Sequence, residues 1–363
     1  MASGRSEYRK YSSQFRHRKI PKKTVLIIIY TILGVIITLF AAYQIVKANG
    51  KSGLMKDVDQ KQEQFTEAIV QEENVEELED GIISYNGTKY KYNDDLVTIL
   101  CMGVDTSANG VKKNIPGNNG QADAIFLILF NPKDKTVKLI NVPRDILAEV
   151  QEYDKNGMPY QKVKEQIALQ FAYGDGGEQS CEMMKSLVSE VLSGLPINAY
   201  AAINMDAIGV LNDQVGGVTV TMEEDFTQTN KAFKQGATIT LTGSQANQYV
   251  RIRDVNKTGS NLLRIGRQKQ YLVAFTHTAV PAVKKNMTLS LDMYQAIERY
   301  MTTDITADEV TYLAEQAVNS NIEIDNIQIL PGEYRAGEKY DEYILDEDEL
   351  YEMILQNFYT KVE

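Results

Sequence analysis

The feature that most limits how this chain can fold is an uninterrupted apolar stretch near its beginning. Residues 24–46, "TVLIIIYTILGVIITLFAAYQIV", contain no Asp, Glu, Lys or Arg. As a helix they would reach roughly 35 Å, which is enough to cross the hydrocarbon core of a bilayer. A cleaved signal peptide would have a shorter apolar core and a clear cleavage site, and only a weak one follows Val46. The stretch therefore predicts an uncleaved transmembrane helix.

Charge is distributed unequally on the two sides of this stretch. Residues 1–23 carry eight Lys or Arg against one acid, so the positive-inside rule places this tail in the cytoplasm and the rest of the chain outside. The whole chain has a net charge of −11, and subtracting the +7 of the tail leaves −18 for residues 47–363. Such an acidic ectodomain predicts no nucleic-acid partner. The positive charge of this tail is explained by its role in setting the membrane topology and by contact with anionic lipid headgroups.

Few residues suit soft-metal or histidine chemistry. Cys101 lies in an apolar run and Cys181 in a helix-like segment, which indicates buried free thiols, with a single disulfide as the alternative. His277 is the one His beyond the tail. A zinc site or a Ser-His-Asp triad would have to be built on that residue, and neither is favoured.

The chain after the span divides into a stem and a domain. Residues 47–90 are rich in Glu, Gln and Lys without a sustained heptad, and predict a partly helical extracellular stem. In residues 91–363, strand-type runs alternate with helical periodicity, as at 162–173 and 178–196, which favours an α/β domain. The Gly-rich pieces "GDGG" and "VGGV" match no nucleotide-binding pattern and are interpreted as turns.

Three strands predict a polar cluster at one edge of a sheet. A buried run ends near Asp105, and the segments 123–130 and 137–145 are spaced as a hairpin, so Asp123 and Arg144 share an edge. If the first strand is parallel to the third, Asp105 arrives at the same edge, where sites on α/β sheets usually form. The alternative is that each residue is simply a polar strand end.

The stretch "QYVRIRDVNKTGSNLLRIGRQ" concentrates guanidinium groups in an acidic domain. Its arginines are Arg251, Arg253, Arg264 and Arg267. The segment ending at Arg251 is either extended or a short helix that starts near Thr242 or Ser244, whereas 262–275 has helical periodicity and places Arg264, Arg267 and Gln268 on one face. Crowded like charges need a counter-charge. It is supplied either by carboxylates of the protein or by a phosphate-bearing ligand.

Four blocks resemble successive motifs of the LytR-CpsA-Psr family. They are "LCMGVDTSANG", "GQADAIFLILFNPKDKTVKLINVPRD", "VLNDQVGGVTV" and "LTGSQANQYVRIRDVNKTGSNLLRIGRQKQYLVAF", within residues 95–277. The resemblance implies an α-β-α sandwich with a central mixed sheet over residues 91–363 and an apolar cleft for a polyprenyl tail. It also implies a phosphotransferase, anchored in the membrane of a Gram-positive cell by one span, that moves a pyrophosphate-linked teichoic acid or capsular polysaccharide onto peptidoglycan with Mg²⁺.

The same resemblance implies roles for individual residues. Asp105 and Asp123 match the carboxylates at the metal and, with Arg144, the catalytic positions. The residues that match pyrophosphate contacts are Arg144, Arg251, Arg253, Arg264 and Gln268. Phosphoryl transfer needs positioned cations and Mg²⁺ held by one or two carboxylates, and it requires no His.

Some positions depart from the family pattern. Gln121 stands where an Arg is usual, Ala124 where a Thr is usual, Ser107 where an Arg is common and Asn261 where an Asp is expected. These changes leave a second function open, that of a non-catalytic polyprenyl-phosphate-binding regulator or assembly factor of the envelope. A transcription attenuator is disfavoured, because residues 1–23 are too short to form a DNA-binding domain.

Overall fold

The protein is described here from a computed structural model. The residues that this structure describes are 44, 46–56, 65, 75–78, 82–105, 117, 119–154, 156, 158–252, 260–337 and 340–362; at 75–77 and 260–265 only the backbone is described. Residues 49–363 belong to one compact unit, and the sites discussed below lie in it. The predicted cytoplasmic tail at 1–23 lies outside the described residues.

The strands are numbered in chain order. They are β1 Val75–Glu77, β2 Ile82–Tyr85, β3 Thr88–Tyr92, β4 Val97–Val104, β5 Ala122–Asn131, β6 Thr136–Asn141, β7 Leu147–Tyr153, β8 Pro159–Gln166, β9 Ala199–Asn204, β10 Val218–Thr221, β11 Thr238–Leu241, β12 Met301–Thr303, β13 Asn321–Ile322, β14 Gln328–Ile329, β15 Gly332–Ala336, β16 Asp341–Leu345 and β17 Tyr359–Val362.

The helices are numbered in the same way. They are α1 Gln170–Tyr173, α2 Glu178–Val191, α3 Ala207–Gln214, α4 Gly243–Arg251, α5 Ser260–Lys285, α6 Thr288–Ile297, α7 Ala307–Val318 and α8 Glu347–Phe358. Residues 46–54 are also helical, and short 3₁₀ turns precede α1 and β12.

The main sheet is mixed and has the order β12–β9–β4–β5–β6, with β13 and β14 both pairing with β6. β4, β5 and β6 are successively antiparallel, and β9 is parallel to β4. The predicted hairpin and the parallel direction of β4 and β6 are therefore confirmed. As a result, β4, β6 and β9 all end at one edge of the sheet, and β5 begins there.

Helices cover both faces of this sheet. On one face, Met184 of α2 and Ile354 of α8 are buried in the larger core, together with alternate residues of β4 and β5. On the other face, Tyr312 of α7 is buried, and Leu272 of α5 packs against the smaller core. These two cores confirm the predicted α/β fold with a central mixed sheet. Below, the faces are called the α2/α8 face and the α5/α7 face.

The structure differs from the sequence analysis in the stem. Although residues 47–90 were assigned to it, β2 and β3 pair in one sheet with the C-terminal strand β17. Phe65 and Ile83 are completely buried in the larger core, and the ring of Phe65 lies 5.8 Å from that of Tyr92. Part of the predicted stem is therefore folded with the domain, because the end of the chain supplies a strand that its composition does not reveal.

The membrane span stays a prediction. Residues 24–46 lie outside the described part of the chain, except for Gln44 and Val46, which are helical. Within that part, every helix is either too short or too polar to cross a bilayer.

One predicted helix is wrong. Residues 162–166 have helical spacing but form most of β8, which pairs antiparallel with β7 from Leu147 to Tyr153. Only Gln170–Tyr173 of that segment is α-helical. Pairing with β7 overrides the local periodicity, since strand preference depends on tertiary context. By contrast, the predicted helix at 178–196 is confirmed as α2, and both cysteines are free thiols, as predicted.

Candidate functional site

The site begins with an irregularity between β4 and β5. Gly103 faces Ala124 and Val104 faces Ala122, so Asp123 is an extra residue without a partner on β4. This is the arrangement of a β-bulge, which bends a strand and redirects a side chain near its end. The bulge explains why Asp123 leaves the regular alternation of β5. Its side chain is 24% exposed and reaches Arg144.

Arg144 lies between two carboxylates. Its Nη1 donates a short hydrogen bond to Oδ1 of Asp123, and its Nε lies 3.4 Å from Oδ1 of Asp145. The backbone around it is held in place, since the carbonyl of Arg144 accepts from the N–H of Ala168 at 3.2 Å and the carbonyl of Asp145 accepts from the N–H of Tyr343 at 2.9 Å. The guanidinium is therefore positioned by charge on one side and by neighbouring segments on the other.

Asp145 is a site residue that the sequence analysis missed. It is buried, and its Oδ1 accepts from Nε2 of Gln166 at 3.0 Å. Burial raises the pKa of Asp145 above its ordinary value, and the charge of Arg144 opposes that rise. The signal that could have revealed it is its place directly after Arg144, at the same strand end.

Asp105 reaches the same edge from β4. Its backbone N–H donates to the carbonyl of Gln121 at 3.1 Å, two residues before Asp123, and its side chain is exposed. The prediction that Asp105, Asp123 and Arg144 share one edge is therefore confirmed. In the described residues no group of three or more His, Cys, Asp or Glu could hold a metal ion. Two carboxylates at one edge still fit Mg²⁺, which takes one or two of them and keeps several waters.

Arg251 arrives at this edge through β9 and α4. Asn204 at the end of β9 is paired with Val104, and Asp206 follows two residues later. Nη2 of Arg251, the last residue of α4, lies 3.1 Å from Oδ1 of Asp206, and both side chains are partly exposed. The open question about this segment is resolved in favour of the helix, whose N-cap is Thr242 in a capping box with Gln245.

Arg253 lies outside the described residues, and only the backbone of Arg264 is described, within α5. Two other polar residues of this helix bond to backbone near the end of α4. Arg267 is 5% exposed, donates to the carbonyl of Ile252 and lies 4.7 Å from the ring centre of Phe226. Gln268 donates from Nε2 to the carbonyl of Val250 at 3.3 Å. Both contacts connect α5 to the segment that carries Arg251.

Arg144 and the two arginines of the arginine-rich stretch whose side chains are described each have a carboxylate of the protein nearby. Arg144 pairs with Asp123, Arg251 with Asp206, and Arg267 lies 3.8 Å from Glu224. The first of the two counter-charges considered above is thus present. The pairs of Arg144 and Arg251 are partly exposed, so solvent screens them and little energy opposes an exchange of partner. The Arg267 side chain is buried and has a structural position.

The sheet provides an apolar floor next to this edge. On the α5/α7 face, Cys101 is paired with Phe126 on one side and Ala201 on the other, and the next pair toward the edge is Gly103 with Ala124. Cys101 and Phe126 are only half-buried although they lie in central strands. Small or incompletely covered side chains therefore extend from the smaller core toward Asp123.

A separate cavity of about 400 Å³ lies along α5. It is lined by Thr219, Val220, Thr221, Gly266, Lys269, Gln270, Val273, Ala274, His277 and Asp325. Asp105, Asp123 and Arg144 do not line it, so the cavity is not the cluster at the sheet edge.

An open mixed sheet with helices on both faces, and with carboxylates and arginines gathered where its strands end, defines an α/β protein with a candidate site at that edge. The chain belongs to the LytR_cpsA_psr family, whose model matches residues 45–357. The resemblance found in the sequence is therefore confirmed.

Known proteins agree with this assignment. A relative from Bacillus cereus, named polyisoprenyl-teichoic acid--peptidoglycan teichoic acid transferase TagU, is 30% identical over 242 residues, which are 65% of this chain and 69% of the relative. Protein gbs0355 from Streptococcus agalactiae has a similar crystal structure, with a TM-score of 0.57, 22% identity and coverage of 74% and 91% of the two chains. The structure titled "TagT bound to LI-WTA" has a TM-score of 0.52, 22% identity and coverage of 72% and 90%.

Proposed function

We propose that this chain transfers a polyprenyl-pyrophosphate-linked glycopolymer, of the teichoic acid or capsular polysaccharide type, onto peptidoglycan. The observation that carries the proposal is the meeting of Asp105, Asp123 and Arg144 at one sheet edge, with Arg251 beside the neighbouring strand end. Membership of the family and the printed name of the Bacillus cereus relative support the choice of substrate. The enzyme acts outside the cell, anchored by the predicted span.

The reaction is a displacement at phosphorus. The acceptor hydroxyl forms a new O–P bond with the phosphate that carries the glycopolymer, the pyrophosphate P–O bond breaks, and polyprenyl phosphate leaves. The hydroxyl proton passes to a carboxylate, and the candidate is whichever of Asp105 and Asp123 is not fully engaged by the metal. Catalysis of this kind is mainly positioning and charge neutralisation.

The arginines supply that neutralisation. A guanidinium donates to two phosphate oxygens at once, so Arg144 and Arg251 suit the two phosphates better than Lys would. Arg253 and Arg264 are proposed to complete the set, and Gln268 to add an amide donor. Asp105 and Asp123 would hold Mg²⁺, which supplies further charge neutralisation at the phosphate oxygens when bound.

The apolar floor accounts for the lipid part of the donor. Each methylene moved from water to an apolar surface contributes about 0.8 kcal/mol, so a polyprenyl chain over Cys101 and Phe126 binds strongly without a specific polar contact. Because the rest of the ectodomain is acidic, we expect the pyrophosphate to bind at the arginines of the sheet edge.

The second candidate function, a binder or assembly factor without turnover, is favoured by Gln121 and Ala124. Both lie beside the site, since the carbonyl of Gln121 accepts from Asp105 and Ala124 follows Asp123 in the bulge. Loss of one cation and one hydroxyl there removes groups that stabilise charge in the transition state.

The test uses the purified full chain, a radiolabelled lipid-pyrophosphate glycan, peptidoglycan and Mg²⁺. We expect glycan on peptidoglycan and released polyprenyl phosphate, both lost in Asp123→Asn and Arg144→Ala. Lys133→Ala, which removes an exposed cation from the β5–β6 turn at the opposite end of these strands, serves as the control. Donor binding without transfer across a range of divalent ions would select the second function. Absence of donor binding would refute both.

A further inference from the structure

The β15–β16 hairpin is fastened next to the candidate site. The N–H of Tyr343 in β16 donates to the carbonyl of Asp145 at 2.9 Å, and Ile146 forms a parallel bridge with Tyr343. Nε2 of Gln166 donates both to Oδ1 of Asp145 and to the carbonyl of Asp341, each at 3.0 Å. The hairpin is therefore attached to the segment that carries Arg144.

Tyr334 is the residue of this hairpin that faces the site. It is paired with Tyr343 across the strands, and the two rings meet edge to face with centres 4.9 Å apart. Its hydroxyl lies close enough to Asp145 that burial and then this carboxylate raise the pKa of Tyr334, and Asp145 lies 3.4 Å from Nε of Arg144. The ring is thus held by a neighbouring ring and lies near a buried carboxylate of the site.

Although it is held in this way, Tyr334 is 50% exposed. A ring fixed only for packing would turn its faces to the core, whereas this one presents apolar surface to solvent beside the reactive groups. Ile329, which ends the adjacent edge strand β14, is 59% exposed as well, and the carbonyl of the next residue, Leu330, accepts from the hydroxyl of Tyr343. Apolar surface is therefore displayed where an acceptor would approach.

The charge of the hairpin limits what can bind there. Over residues 332–345 the sequence has four acids (Glu333, Glu338, Asp341 and Glu342) against two bases (Arg335 and Lys339), and the guanidinium of Arg335 is already bonded to Glu333. An anionic ligand is repelled by this surface, so it is not a second phosphate site. A neutral pyranose fits better, since its C–H face packs on the face of an aromatic ring while its hydroxyls bond to neighbouring polar groups.

We propose that Tyr334 binds the saccharide acceptor and positions its hydroxyl toward the phosphate held by Arg144. This inference rests on the proposed function and adds to it the place where peptidoglycan is bound. The donor enters over the sheet from the α5/α7 face, and the acceptor rests on the β15–β16 hairpin at the same edge.

The experiment compares Tyr334→Ala, Tyr334→Phe and Tyr160→Ala in the full chain. Tyr160 is the matched control because it is 70% exposed and lies at the far end of the β7–β8 hairpin, roughly 20 Å from the strand end next to Asp145. Binding of a defined, uncharged oligosaccharide of alternating N-acetylglucosamine and N-acetylmuramic acid, with the lactyl carboxyls amidated, is measured without donor. The KM for that acceptor and the Kd for the lipid-linked donor are measured separately.

We expect Tyr334→Ala to weaken oligosaccharide binding and raise the acceptor KM by roughly three- to tenfold, as loss of one aromatic contact implies. Tyr334→Phe keeps the ring and should change both values about twofold or less. Tyr160→Ala should change neither value, and the Kd for the donor should be the same in all three variants. Thermal melts of each variant verify that the fold is retained.

Two results would overturn the inference. One is an acceptor affinity of Tyr334→Ala equal to that of the unmodified chain, and the other is no binding of the oligosaccharide by the unmodified chain. In either case, normal donor binding and transfer to whole peptidoglycan would leave the proposed function standing. Loss of donor binding in the unmodified chain would instead refute the function itself.

Discussion

Replacing Gly with Ala should lower the stability of the protein at Gly243, where α3 and α4 meet, and raise it at Gly266, inside α5. The two helices meet at Gly209 and Gly243. A Cβ added at Gly243 would lie 2.4 Å from the carbonyl oxygen of Gly209 and 2.5 Å from Oδ2 of Asp213. The first of these atoms belongs to the backbone of a packed helix, so it cannot move aside without shifting the helix.

The magnitude follows from the closeness of this contact. Inserting a methyl group into a well-packed contact costs about 1–3 kcal/mol, and Gly243 is the first residue of α4, where better helix propensity offsets little of that cost. In a folded unit of this size, 1 kcal/mol corresponds to roughly 2 °C in Tm. Gly243→Ala should therefore lower the Tm by roughly 2–6 °C.

Gly266→Ala is the control with the opposite sign. Gly266 lies inside α5, and no described atom lies within 4 Å of its added Cβ. Replacing an exposed helical Gly with Ala stabilises by about 1 kcal/mol, partly by restricting the unfolded chain, so the Tm should rise by roughly 2 °C.

Differential scanning calorimetry of the full chain and both variants measures the two shifts. A Tm of Gly243→Ala equal to or above that of the unmodified chain would refute the close packing of α3 against α4. It would also remove the structural reason for the position of Arg251, which α4 carries to Asp206.

Three further predictions concern the site and its supports. Arg144→Lys keeps the charge but loses the forked donor, so donor affinity should fall by roughly tenfold in a filter-binding assay, and an unchanged affinity would show that a point charge suffices. Thr242→Ala removes the side chain that accepts from the N–H of Gln245 at 3.3 Å, which should cost about 1 kcal/mol in a urea titration followed by circular dichroism; Thr242→Ser should recover most of it, and equal loss in both variants would argue against the cap. Because burial raises the pKa of Asp145 above 3.8, the folded state holds its proton more tightly than the unfolded state. Relative to Asp145→Asn, the free energy of unfolding of the unmodified chain should therefore fall as the pH rises from below 3.8 through the raised pKa, and stay level above it; a rise over that range would contradict the burial of this carboxyl.

Local patterns in the sequence were sufficient to predict strands β4, β5 and β6 of the main sheet. The runs at β4, β5 and β6 are apolar, and the short polar connection between β5 and β6 leaves a hairpin as the simplest connection. Once β4 is taken as parallel to β6, geometry places Asp105, Asp123 and Arg144 together, and the structure agrees. The spacing does not show the bulge that aims Asp123 at Arg144.

Contacts between distant segments were not predictable in this way. The helical periodicity at 162–166 is overridden by pairing with β7, and the pair of Arg251 with Asp206 joins residues 45 positions apart. Tyr334 comes near Asp145 only because its partner Tyr343 in β16 is bridged to Ile146. A single sequence carries no periodic signal for such pairs.

The sequence by itself determined the fold class, the family, the predicted span and the meeting of Asp105, Asp123 and Arg144 at one sheet edge, because strand periodicity and motif order are local properties of the chain. Only the tertiary structure decided which carboxylates face Arg144 and Arg251, that the buried Arg267 bonds to the carbonyl of Ile252, and that a hairpin near the end of the chain brings Tyr334 close to the segment of Arg144. The physical reason is that ion pairs and ring contacts depend on atoms meeting within a few ångströms, and this requires the packing of segments that are far apart in the chain.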